Sequence, residues 1–248
     1  MTSDSARTLL AVVAGLVGLA AVAGGLAGAA VVTSRSVGPL LEAAAPAQEQ
    51  RFAFERRAWA AIAVDDLFPP TYASTTATPL SGDERDFTRI GVARPAACRA
   101  ALDPALVRLL PAATCGPVLR AGYTDATRTL VATVGVAVLG GTTAEQRDVS
   151  AATQTHHDDL GAHPLAFPGT PAAGFGDAQR LAFRVFGDAD APFLAFAVVG
   201  FSDGRPASAD PGPDAADQSG AHLTAVDLEE LVNRRVASAT DALWARAR

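Results

Sequence analysis

The chain contains no lysine: all twenty of its cationic side chains are arginine. Schiff-base catalysis and a Walker-type phosphate lysine are thereby excluded. The metalloprotease spacing HExxH and the phosphate-cradling GxGxxG and GxxxxGK patterns are also missing. There are only two cysteines and no CxxC, so no cysteine-built zinc site can form. A surplus of basic charge is absent too. The formal net charge of −6 argues against nucleic acid, which asks for a basic face. What the chain has in excess is alanine, and with the arginine bias this fits a very GC-rich genome. Arguments from alanine or glycine frequency lose weight accordingly. A core is assured, because 49% of the 248 residues are apolar against 19% charged.

Leu9 to Val32 runs for 24 positions without a charge or a strong polar group. As a helix it rises roughly 36 Å, enough to cross a hydrocarbon core of about 30 Å with some tilt. A cleaved signal peptide is the competing reading. Its apolar region is normally about 7–15 residues, and the best small-residue site, Ala43-Ala44-Ala45, lies well past the run and precedes Pro46. The length favours an uncleaved single-pass anchor over 9–33, preceded by a short tail, 1–8. Arg7 before the helix and Arg35 and Arg51 after it leave the positive-inside count nearly tied. With so short a tail, the folded part is expected outside the cytoplasm. Within the helix Ala21, Gly25 and Ala29 repeat at four-residue spacing, and Gly24 with Gly28 forms a GxxxG. Such a stripe lets another membrane helix approach closely, although compositional bias alone can also produce it.

Cys98 and Cys115 are separated by sixteen residues. Asp103-Pro104 reads as an N-cap followed by proline at the first helical position. A helix or broken helix is therefore expected over 95–110, ended by Pro111, with Cys115 opening a strand. A bond between the two cysteines would staple that helix to the sheet edge. Two unpaired buried thiols are the alternative.

Residues 34–64 read as an Ala/Pro/Gln spacer that turns helical, a stalk leading into a domain over 65–248. Phe87 to Val92 suits a first strand. Val118 to Tyr123 and a strand from about Thr129 form a hairpin. In the second of these Leu130, Ala132, Val134, Val136 and Val138 face one way and Val131, Thr133, Gly135, Ala137 and Leu139 the other. Both faces lack charge, so this strand is expected in the middle of a sheet covered on both sides. Thr142 and Glu145 form a capping box for a short helix. The hairpin-then-helix pattern recurs: Leu181 to Val185 alternates, Phe193 to Phe201 is apolar on both faces, and a last helix is expected from near Thr224 with Asp227 at N3. The fold class is α+β, a mixed or antiparallel sheet with packed helices.

His156, His157, Asp158, Asp159 and His163 are the only cluster with metal-ligand chemistry. Imidazole and carboxylate suit zinc, and His156, His157, Asp159 and His163 could be presented from one loop. A Gly/Pro-rich loop supplies rigid second-shell support poorly, and a solvated polar loop is the plainer reading. No cofactor is expected.

In layout the chain resembles single-pass exported proteins of actinobacteria: lysine-free, Ala/Arg-rich, one amino-terminal helix and one small domain with a cysteine pair. The resemblance rests on composition and order of segments and implies no site residues. The favoured expectation is a non-enzymatic, membrane-tethered extracytoplasmic protein, an accessory or assembly subunit. Its partners would be the lipid bilayer and another envelope protein, met through the membrane helix and the exported domain. The alternative is an envelope metal-dependent enzyme or ligand-binding domain using the 156–163 loop.

Overall fold

The computed structural model describes residues 47–73, 86–110, 115–156, 160–207 and 215–248. The expected membrane helix 9–33, with Ala21, Gly24, Gly25, Gly28 and Ala29, and the tail 1–8 lie outside the described residues. Among the described residues no helix is long and apolar enough to cross a membrane. Arg51–Arg248 form one compact unit. The segment 34–64, expected as a stalk, is described from residue 47 on. Residues 47–58 are helical (α1), and Phe52, Glu55 and Ala58 of this helix are buried.

In chain order there follow α2 (Val64–Leu67), β1 (Thr71–Ala73), β2 (Asp86–Val92), a 3-10 turn at Cys98–Ala100, and α3 (Pro104–Leu109). Then come β3 (Cys115–Asp125), β4 (Leu130–Leu139), α4 (Thr143–Thr155), β5 (Arg180–Gly187), β6 (Phe193–Phe201) and α5 (Ala215–Ala247). The strands make one six-stranded sheet in the order β1-β2-β3-β4-β6-β5, every neighbouring pair antiparallel. The fold is α+β, as the alternation of strand and helix patterns implied. Phe87–Val92 is not the first strand, however. The three-residue β1 precedes it, too short to carry an alternation signal of its own.

β4 and β6 are neighbouring interior strands, and nearly every residue of both is buried. The even-numbered side chains of β4 from Ala132 to Val138 join Ala121, Tyr123, Ala195 and Val199 beneath α5, through Leu228, Val232 and Val236. The odd-numbered side chains Val131, Ala137 and Leu139 join Phe196, Val198, Leu106 and Val149 on the other face. Burial of each Val, Leu or Phe is worth about 1.5–3 kcal/mol, so both faces must be covered for the sheet to persist. α4 and α5, the two helices that follow the hairpins, cover opposite faces.

The cover on the α4 side is built by polar groups as much as by apolar ones. Thr142 and Glu145 form the expected capping box: the Glu145 amide donates to Thr142 Oγ1 at 3.2 Å and the Thr142 amide to Glu145 Oε2 at 2.7 Å. Gln146 Nε2 donates to the carbonyls of Asp188 at 2.6 Å and Phe193 at 3.1 Å. Thr153 Oγ1 accepts from the Gly187 amide at 3.0 Å. These bonds hold α4 across the β5–β6 turn. The long segment before β5 also belongs to this cover. The Leu165 amide donates to Thr133 Oγ1 at 2.8 Å, and the Phe167 ring lies on bare backbone at two glycines. A Cβ at Gly122 would meet that ring at 2.4 Å and one at Gly91 at 2.6 Å, so no other residue fits there without moving it.

α5 begins at Ala215, nine residues before the expected start near Thr224, and Asp227 is an interior residue rather than N3. Its early turns are alanine-rich and polar. Ala221 and Ala225 reach the core, which extends the helix where hydrophobic periodicity is faint. Asp103 is the N-cap of α3 as expected, but its side chain makes no capping bond. Its carboxylate is engaged elsewhere, as described below.

One buried acid stands out on the α5 face. Glu229 is 3% exposed, and its Oε1 has no hydrogen-bond partner among the described residues. Burial is the main cause that pushes its carboxyl up to about 8, against the attraction of Arg184. The folded protein thus holds this proton to about pH 8, whereas an unfolded chain releases it near ~4.3. The associated stability is complete below the unfolded value and is lost as pH rises through the folded one. Glu229→Gln should remove that dependence. In urea titrations at pH 5 and pH 8.5 the parent should lose stability relative to the variant on the order of a few kcal/mol. Parallel curves for the two proteins would show that the carboxyl is not held protonated.

Candidate functional site

Cys98 and Cys115 form a disulfide, with Cα atoms 6.1 Å apart. Cys98 opens the 3-10 turn and Cys115 is the first residue of β3, so the bond fastens the broken helical segment 98–109 to the sheet, as the proline placement implied. Two isolated bridges reinforce it, Ala96 with Val118 and Leu102 with Ala162.

Of the four metal candidates, His157 and Asp159 lie outside the described residues. His156 is the C-cap residue of α4. His163 is placed by a different set of carboxylates. Its Nδ1 lies 3.0 Å from Asp177 Oδ1 and 3.6 Å from Asp103 Oδ1, and Asp103 Oδ2 accepts from Arg180 Nη1 at 2.5 Å. The backbone joins in: the His163 amide donates to the Ala101 carbonyl at 2.8 Å and the Asp103 amide to the Gly161 carbonyl at 3.0 Å. This cluster ties the 160–177 segment to the disulfide lobe and explains why Asp103 does not cap α3. Among the described residues no group of three or more His, Cys, Asp or Glu could hold a metal ion.

Gly200-Phe201-Ser202-Asp203-Gly204 spells GxSxG, the nucleophile-elbow pattern. An elbow requires a strand, a sharp turn and then a helix. Here β6 ends at Phe201 and the turn leads into irregular chain over 204–207, with no helix directly following. Ser202 Oγ donates to the Arg128 carbonyl, with the Ser202 amide 3.0 Å from the Thr129 carbonyl. The serine closes a corner beside the β3–β4 turn and is not the nucleophile of an elbow.

The feature that sequence reasoning missed is an apolar pocket of about 200 Å³ between the α1–α2 corner and the sheet. Trp59, Ile62, Val64 and Phe68 line one side, and Val92 and Leu119 the other. Val64 is 51% and Val92 39% exposed, so apolar surface continues onto the rim. Arg120 also borders the pocket. Strand alternation sends the side chain of Leu119 to the α5 face, with Ala121 and Tyr123, and that of Arg120 to the opposite one. There Arg120 is buried, its Nε has no partner among the described residues, and desolvation lowers its pKa.

The α2 wall of this pocket is fastened at three successive carbonyls. Tyr72 Oη donates to Leu67 O and Tyr123 Oη to Pro69 O, each at 2.8 Å. Arg89 Nη1 donates to Phe68 O and reaches Asp65 Oδ1 at 2.7 Å. The two tyrosine rings pack with centroids 4.8 Å apart, and burial pushes both phenols above their ordinary range. These bonds tie the α2 wall to β1, β2 and β3. The signals were present in the sequence only as Asp65-Asp66-Leu67-Phe68-Pro69-Pro70, which reads as a helix stop. The tyrosines that turn this stop into a wall come from two different strands.

Comparison with family models, with curated proteins and with solved structures finds no match.

The disulfide should prove structural. Mass spectrometry of non-reduced peptides should recover Cys98 and Cys115 linked to each other. Cys98→Ser should lower unfolding stability by about 3 kcal/mol, the chain-entropy value for a loop of this size. Free alkylation of both thiols in the native protein would contradict the pairing.

Proposed function

We propose that the protein is a non-enzymatic accessory or assembly subunit, tethered to the membrane through 9–33, whose domain binds another envelope protein outside the cytoplasm. The observation that carries the binding role is the open apolar pocket with its exposed rim residues Val64 and Val92. Apolar surface that runs from a pocket onto its rim in this way is characteristic of interaction sites. The Cys98–Cys115 disulfide supports the extracytoplasmic placement, because such bonds persist in oxidising compartments. The polar clusters support the non-catalytic role. His163, Asp103, Asp177 and Arg180 are engaged with one another, and Ser202 with a main-chain carbonyl.

Two measurements test the proposal together. A reporter active only outside the cytoplasm, fused after Arg248, should be active, and a cytoplasmic reporter silent; the opposite pattern overturns the placement. Purification from native membranes should bring down a partner in fixed ratio. His156→Ala, His157→Ala and His163→Ala combined should leave that recovery intact, whereas Gly24→Leu, Gly25→Leu and Gly28→Leu combined should reduce it by holding membrane helices apart. Loss of a bound metal or of the phenotype in the histidine variant, with the glycine variant unaffected, would establish the metal-dependent alternative instead.

A further inference from the structure

We draw no further inference here: the strongest candidate, the apolar pocket between the α1–α2 corner and the sheet together with the adjoining β2 edge at Val92, carries nothing beyond the binding role proposed above, because nothing in the structure shows what covers it.

Discussion

Everything in this domain follows from two strands that cannot face water on either side. β4 and β6 carry Val, Ala, Leu and Phe on both faces, so a sheet built around them must be roofed twice. One roof is mainly the long helix α5, joined at the outer strands by α1 and α2. The other is assembled from the disulfide lobe, α4 and the irregular chain from 160 to 177, and among the described residues no second helix of comparable length lies on that face. The contrast decides where polar side chains are used. A regular helix satisfies its own main chain, but a roof made of pieces must be fastened down. Gln146, Thr153 and Thr133 bond to main-chain groups for that purpose, and His163, Asp103, Asp177 and Arg180 serve it as an ionic cluster. Chemistry-bearing residues gathered in one place are here a consequence of covering an apolar sheet.

The pocket follows from the same constraint at the sheet's border. α1 and α2 cover the outer part of the α5 face, where β2 and β3 extend past the short β1. Their corner leaves a gap above Leu119 that no side chain of the described chain fills. An apolar gap would ordinarily be closed by collapse of the surrounding side chains. Here three fastened carbonyls, at Leu67, Phe68 and Pro69, hold the corner at a fixed height.

How far the sequence could be read depended on how local each determinant is. The alternation within β4, the apolar run of β6 and the capping box at Thr142 are contained in a few consecutive residues, and all three are visible without a structure. The cysteine pair was legible from the prolines that bracket it. What escaped was whatever needed partners far apart in the chain. β1 has three residues and exists because β2 offers an edge. The start of α5 is set by Ala221 and Ala225 finding the core, which alanine, discounted here as compositional bias, does not advertise. Asp103 was read as a helix cap because its local setting is that of one. Its actual partner, Arg180, is seventy-seven positions away. The pocket draws its walls from the turn after α1, from α2, and from β2 and β3, and no stretch of sequence contains it. The histidine cluster drew attention for the opposite reason, since proximity along the chain suggested a site. His163 is bound instead to carboxylates contributed by other segments.

The Phe167 ring resting on Gly91 and Gly122 has a consequence for how this chain can vary over evolutionary time. The three residues lie in separate parts of the sequence, yet they make up one interlocked unit in which an aromatic plane replaces two missing side chains. A larger residue at either glycine is tolerable only alongside a smaller one at 167, and a smaller one at 167 uncovers two bare stretches of β-strand. Drift at these positions is therefore correlated. Divergent relatives of the chain should be recognisable by this triplet even where the alanine-rich background around it has been rewritten.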